Sequence, residues 1–183
     1  MNLAIVERWG AMPAYVDALS TRVQDALVGL EPNETLVIFS AHSLPQRIVA
    51  EGDPYREELM ETSRLVAEKT GVPHWTFAFQ SASKTGEPWL GPDILDVIEE
   101  NAAQYKNVVA CTVGFVSDHL EVLYDLDVEA RDRAAELGVS AADVTRPEVN
   151  LAFGQQHLQM LRSAPGTQGL LPKVIAAYNA GLL

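Results

Sequence analysis

Residues 36–45 read Leu36-Val37-Ile38-Phe39-Ser40-Ala41-His42-Ser43-Leu44-Pro45. The run Leu36 to Phe39 is apolar without alternation, which is the pattern of a short strand buried on both faces of a parallel sheet. Two further segments repeat the theme. Trp75, Phe77 and Phe79 alternate with smaller residues, and Val108 to Val116 is again apolar. Helical periodicity fills the intervals. Val16, Leu19, Val23, Ala26, Leu27 and Leu30 recur at helical spacing after Pro13, which suits a first turn. Pro54 to Lys69 is helical in pattern and closed by Gly71. Asp93 to Tyr105 carries Ile94, Leu95, Ile98 and Ala102 on one face. Ser117 to Leu137 predicts a long charged helix ending at Gly138, Val144 to Val149 a short fourth strand, and Phe153 to Arg162 a last core helix. Strands alternating with helices predict an α/β fold: a Rossmann-like parallel sheet of about four strands with helices on both faces. Such sheets bind ligands beyond the carboxyl ends of their strands, so the residues after Phe39, Phe79 and Val116 are where chemistry is expected.

At 183 residues the chain has room for one domain of ordinary size. The remaining segment, from Ser163 on, opens with a flexible Ser-Ala-Pro-Gly-Thr-Gln-Gly linker and continues into a short helical pattern. We therefore expect a domain over residues 1–163 and a linker with a short helix over 164–183. The formal net charge of −12 repels phosphate backbones and anionic headgroups, so nucleic acid is not an expected partner, whereas divalent cations fit the sign. The single cysteine, Cys111, lies in an apolar run and reads as a small buried hydrophobe. One thiol allows neither an internal disulfide framework nor a cysteine-ligated iron–sulfur cluster, and a reducing, cytoplasmic setting is the simplest expectation. The first 16 residues lack the basic and apolar regions of a signal peptide, and no apolar run approaches the roughly 20 residues of a spanning helix, so a soluble protein without a transmembrane segment is expected.

Three constellations carry chemistry. His42 falls two or three residues past the first predicted strand. A neutral imidazole accepts a proton near neutral pH or ligates a borderline metal such as ferrous iron, although one histidine after one strand also suits a purely structural loop. The second constellation follows the third strand. On a helix, Asp118, Glu121, Asp125, Glu129 and Asp132 step by three or four residues and form a carboxylate stripe; read as a track for metal, it has Glu121 nearest the site. Like charges so placed cost a few tenths of a kcal/mol per pair. Either a track for divalent cations or a solvated acidic face accounts for them. Third, the loop from Gln80-Ser81 to Pro88-Trp89-Leu90-Gly91-Pro92 reads either as a rigid loop with Trp89 in the core or as an aromatic wall on which a flat ligand stacks. A histidine facing carboxylates suits metal delivery coupled to proton removal. The sequence has no nucleophile elbow, no phosphate-binding glycine loop and no His-Glu-x-x-His zinc motif.

The motifs Ser40-Ala-His-Ser-Leu-Pro45, Gly52-Asp-Pro-Tyr55, Gln80-Ser81 with Pro88-Trp-Leu-Gly-Pro-Asp93, and Val113-Gly-Phe-Val-Ser-Asp-His-Leu-Glu-Val-Leu-Tyr-Asp-Leu-Asp-Val-Glu129 stand in the order and spacing of the C-terminal half of ferrochelatases. The chain resembles that family from about Trp9 to Arg162. The resemblance implies a chelatase-like fold and insertion of ferrous iron into a porphyrin in haem biosynthesis, a lyase reaction. Iron is then a substrate, and no permanently bound cofactor is implied. By resemblance His42 matches the active-site histidine, Glu121 the catalytic glutamate, and Asp118 and His119 the pair before it. Asp125 and Glu129 match the acidic ladder proposed to guide metal. We assign His42, Glu121, Asp118 and His119 to catalysis, His42, Glu121, Asp125 and Glu129 to metal, and Ser81 and Trp89 to the porphyrin.

The sequence departs from the family in lacking its N-terminal half, which supplies the opposite wall of the cleft. The expected partners are therefore protoporphyrin IX or coproporphyrin III, ferrous iron, and either the missing half or a second copy of the chain. Two other readings share the same residues: a non-catalytic porphyrin- or metal-binding module, and a dimeric chelatase for another tetrapyrrole such as sirohydrochlorin.

Overall fold

A computed structural model describes residues 8–83, 85–115 and 120–143, which belong to one compact unit, Met1–Val144. The element order is α1 (Pro13–Ala26), a 3-10 turn (Pro32–Glu34), β1 (Thr35–His42), α2 (Arg47–Ala50), α3 (Tyr55–Thr70), β2 (Trp75–Gln80), α4 (Ile94–Asn101), β3 (Asn107–Thr112), α5 (Leu120–Leu123), a π-helical segment (Tyr124–Ala130), α6 (Arg131–Glu136) and β4 (Ser140–Asp143). Among the described residues the strands form one sheet in the order β2-β1-β3-β4, and every pairing is parallel. The predicted α/β architecture holds.

Alternation along β1 builds the core on two faces. Val37, Phe39 and Ala41 point to one side, where Val16, Leu19 and Val23 of α1 and Leu59 and Val66 of α3 cover them. Leu36 and Ile38 point to the other, against Ile94, Val97 and Ile98 of α4 and Leu126, Ala130 and Ala134 of the later helices. A strand covered twice has no face toward water, which is why the sequence runs Leu-Val-Ile-Phe without a break, and the polar residues at its ends, such as Ser40, need internal partners. Fully burying a side chain of this size contributes about 1.5–3 kcal/mol. Cys111 is fully buried and its thiol is pushed up to about 12 by that burial, in keeping with the inert role expected of it. No helix among the described residues is long and apolar enough to cross a membrane.

Several boundaries move. The first helix stops at Ala26, because Gly29 with φ +83° turns the chain before Leu30. Strand β1 runs on to His42, so the histidine closes the strand and does not lie in the loop beyond it. Strand β3 ends at Thr112, earlier than its apolar run. Chain direction changes there because Gly114 lies against β1: a Cβ at Gly114 would stand 2.7 Å from Ala41 Cβ. A fourth strand exists at Ser140–Asp143. It lacks β-branched residues and gave no strand signal. The strand predicted at Val144 to Val149, the helix at Phe153 to Arg162 and the segment 164–183 lie outside the described residues. So do residues 116–119, the start of the predicted long helix, whose described part is α5, the π segment and α6 in succession.

Candidate metal and porphyrin site

Because all the strands are parallel, their carboxyl ends share one edge of the sheet. His42 is the last residue of β1 and pairs in register with Gln80, the last residue of β2. The two ends are tied directly, since Ser43 N–H donates to the Gln80 carbonyl at 2.7 Å. His42 is half-buried, and its Nδ1 lies against the carbonyl oxygen of Ser43. A carbonyl only accepts, so Nδ1 carries the proton in this contact. In the neutral ring the lone pair is then on Nε2, the atom that would accept a proton or bind a metal.

The loop after β1 is laced to the segment bearing Trp89. Ser43 Oγ donates to Leu90 O at 2.7 Å, Leu90 N–H to Leu44 O at 2.8 Å, and Gln46 N–H to Pro88 O at 2.9 Å. Gln46 Nε2 adds a bond to Trp89 O at 3.0 Å, and Pro45 and Trp89 form an antiparallel bridge. Trp89 is therefore not a core residue. It is half-exposed beside the histidine loop, with its indole N–H donating to Thr85 Oγ1 at 2.7 Å. Two of the three constellations read from sequence thus meet.

The third joins them through Asp125. Its Oδ2 accepts from Ser81 Oγ and from Gln80 Nε2, the latter at 3.4 Å, while Gln80 Oε1 accepts from Ser40 Oγ at 3.0 Å. Gln80 is 1% exposed, so the Ser40–Gln80 end of this bridge is internal, while Ser81 and Asp125 are half-buried. Ser81 sits at φ +62°, an unusual backbone for a side-chain-bearing residue, in the turn that offers its hydroxyl to Asp125. Asp93 lies near enough to feel the same carboxylate. Its carboxyl pKa is raised, first by burial and then by Asp96 and Asp125, against the lowering effect of the Leu95 N–H it accepts as N-cap of α4.

Asp125 and Glu129 lie on the π-helical segment. Such i→i+5 turns are rare and recur at functional sites. Leu126 and Ala130 are both buried, so Asp125 and Glu129, one residue before each, share the adjoining face. The stripe persists there, but its members differ: Asp125 is half-buried and hydrogen-bonded, Glu129 exposed. Glu121 belongs to α5. Its side chain lies outside the described residues, as do Asp118 and His119. Among the described residues no cluster of three or more His, Cys, Asp or Glu side chains is arranged to hold a metal.

Ser43, Gln80 and Asp93 stand within the quoted motifs, but sequence reasoning assigned them no role. The available signal was position: a polar residue ending an otherwise apolar strand, as Gln80 does, must find an internal partner. Nothing in the residue types distinguishes the π segment from an ordinary helix.

A sequence model of the ferrochelatase family matches residues 1–163. The chain is 43% identical over 143 residues to a ferrochelatase of Herpetosiphon aurantiacus, covering 76% of this chain and 47% of that protein. It is 42% identical over 153 residues to a coproporphyrin III ferrochelatase of a Geobacillus species, covering 81% and 49%. It is 41% identical over 146 residues to a ferrochelatase of Deinococcus radiodurans, covering 76% and 46%. The chain spans about half the length of the curated relatives it matches. With this match running through the strands, the histidine loop and the carboxylate helix, the chain belongs to the ferrochelatase family.

Proposed function

We propose that this chain forms the metal-handling wall of a ferrochelatase and acts with a second wall, either an N-terminal half or another copy of itself, to insert ferrous iron into protoporphyrin IX or coproporphyrin III. The observation that carries this reading is the joining of His42, Trp89 and Asp125 at one sheet edge by the Ser43–Leu90 and Gln80–Asp125 hydrogen bonds. Insertion replaces two pyrrole protons with one Fe(II), releasing two protons. The chain must therefore offer bases to take them and ligands that hold iron weakly enough to surrender it. His42 serves as ligand or base through Nε2, and Glu121 as proton acceptor, with Asp118 and His119 supporting. Asp125 and Glu129 pass the metal in, while Ser81 and Trp89 contact the macrocycle. Trp89 offers a half-exposed indole on which a flat ring stacks, favoured by offset or edge-on aromatic geometry. Iron is substrate in this scheme, and the chain needs no resident cofactor. The single buried cysteine suits a reducing, cytoplasmic setting.

The test is iron insertion followed by the visible spectrum of the porphyrin, with both porphyrins, by the chain alone and beside the N-terminal half of a relative. Insertion by the chain alone supports self-pairing. Insertion only with the added half supports a divided ferrochelatase. A folded chain that binds porphyrin or iron but inserts nothing in either setting overturns the catalytic reading in favour of a binding module.

A further inference from the structure

Two tyrosines outside the site described above reach into it through the backbone. Tyr55 opens α3, and its hydroxyl donates to the carbonyl oxygen of His42 at 2.9 Å. Tyr15, in the first turn of α1, donates to Val113 O at 3.0 Å and lies 3.4 Å from Phe115 O. Both helices cover the same sheet face, and both hydroxyls land at strand ends, one on β1 and one just past β3.

The consequences for His42 follow from peptide geometry. The unit joining His42 to Ser43 is planar, so its oxygen and its N–H move together. Tyr55 holds the oxygen, and the Gln80 carbonyl holds the N–H at 2.7 Å. A plane gripped on both edges cannot rotate, and the Ser43 carbonyl that faces His42 Nδ1 is the next group along. The start of α3 is itself fixed, because Asp53 Oδ1 accepts from Tyr55 N–H at 2.9 Å. On the β3 side Gly114 lies against Ala41, the residue before His42, so the two strand ends are at contact distance. Trp9 packs edge-on to the Tyr15 ring with centroids 5.0 Å apart, holding that phenol in place. Burial raises both phenol pKa values, that of Tyr15 to about 12, so both remain donors.

We infer that Tyr55 and Tyr15 are positioning residues for iron insertion, gripping the ends of β1 and β3 so that His42 stands at a fixed place relative to the end of β3. This inference rests on the proposed chelatase function, and its first test does not depend on that function. In the full chain, labelled with nitrogen-15, the ring shifts of His42 (identified by their loss in His42→Gln) report the tautomer at a pH where the ring is neutral. The wild type is expected to show the Nδ1–H tautomer alone. Tyr55→Phe, which keeps the ring and removes the hydroxyl, is expected to give a mixture of tautomers. Tyr15→Phe is expected to leave the His42 tautomer unchanged, because it releases the other strand end.

In the insertion assay each variant is expected to lose roughly ten- to hundredfold in kcat, the usual effect of removing support behind a metal-handling residue, with porphyrin KM nearly unchanged. A folded Tyr55→Phe chain with the wild-type tautomer overturns the assignment of Tyr55. Undiminished kcat in folded Tyr15→Phe overturns that of Tyr15. Should Tyr55→Phe fail to fold, Asp53→Ala loosens the same turn from an exposed position and is expected to give a smaller shift in the same direction, with no shift overturning the inference. A wild type that inserts no iron counts against the chelatase reading, and the tautomer result then decides the Tyr55 grip by itself.

Discussion

Two buried serines make opposite predictions, and together they test whether hydrogen bonding holds the histidine loop to the tryptophan loop. Ser43 is 0% exposed and donates to Leu90 O at 2.7 Å. Ser20 is 2% exposed, yet among the described residues its Oγ has no hydrogen-bond partner. Replacing either by alanine removes one oxygen and leaves little void. In Ser43→Ala the Leu90 carbonyl loses its donor while remaining buried, which costs about 1–3 kcal/mol. For a chain of this size each kcal/mol lowers Tm by about 2–4 °C, so a central value of 2 kcal/mol corresponds to a fall of about 4–8 °C. In Ser20→Ala the substitution deletes a desolvated, unpaired hydroxyl from the middle of α1 and puts the best helix former in its place. Stability should hold or rise by about 0.5 kcal/mol or more. Urea unfolding, with Tm by circular dichroism as a second probe, measures both. The reasoning is refuted if Ser43→Ala changes stability by less than about 0.5 kcal/mol, the range of an ordinary surface substitution, or if both serines respond alike.

His42→Ala is expected to abolish iron insertion while leaving the thermal midpoint within a few degrees, since the imidazole is only half-buried; retained insertion by the folded variant would sink its assignment. Neutralising Asp125 and Glu129 together as Asn and Gln should weaken the dependence on divalent metal more than porphyrin binding, read as the shift in half-saturating iron against the porphyrin KM; an unchanged iron dependence refutes the conduit. Asp93 gives a pH test. Its folded pKa is raised above the usual 3.8, so the native state binds the proton more tightly, and the stability it contributes is present at low pH and lost as pH rises through the raised value. Asp93→Asn retains a good N-cap and cannot ionise. Wild type minus Asp93→Asn stability should therefore fall as pH climbs from 3.8 through the carboxylate range, and a difference that rises or stays flat contradicts the burial of that carboxyl.

The parallel sheet was legible because burial on both faces leaves a simple mark: Leu36 to Phe39 admit no polar residue, and the structure covers both sides of them. His42 was legible as a residue near a strand end, though β1 extends three residues beyond its apolar run. Ser40 and Ala41 are small and buried, and hydropathy does not reveal that a small polar residue such as Ser40 pairs with Gln80 inside. Trp89 defeated composition for a related reason. A tryptophan among prolines and glycine suits a core plug or a ligand wall equally. What separates them is the lacing of Pro88, Trp89 and Leu90 to residues more than 40 positions earlier. Strand β4 left no trace because Ser-Ala-Ala-Asp has no strand preference of its own and is held by its register with Asn107 to Ala110. For Asp118 and His119 the sequence motif is the ground for their assignment.

The carboxylate stripe changes meaning once its partners are known. As a sequence it is a set of equivalent charges at helical spacing. In the fold Asp127, off the stripe, pairs with Arg131 at 3.8 Å, and Arg133 with Glu99 and Glu136 at 2.6 and 3.0 Å. Asp125 is engaged by Ser81 and Gln80 instead. Each hydrogen bond occupies a carboxylate lone pair and draws charge from the oxygen, so Asp125 is a poorer metal ligand than a bare carboxylate. Glu129 is exposed, so water competes with it for iron. Neither residue is arranged as a tight site, and none of the described clusters is. For the proposed conduit, a tight site on the path would retain the metal, whereas weaker ligands would release it toward the porphyrin. If Asp125 is held back in this way, freeing it with Ser81→Ala should tighten divalent-metal binding to the chain while slowing insertion, a pairing of effects that a merely structural serine would not produce.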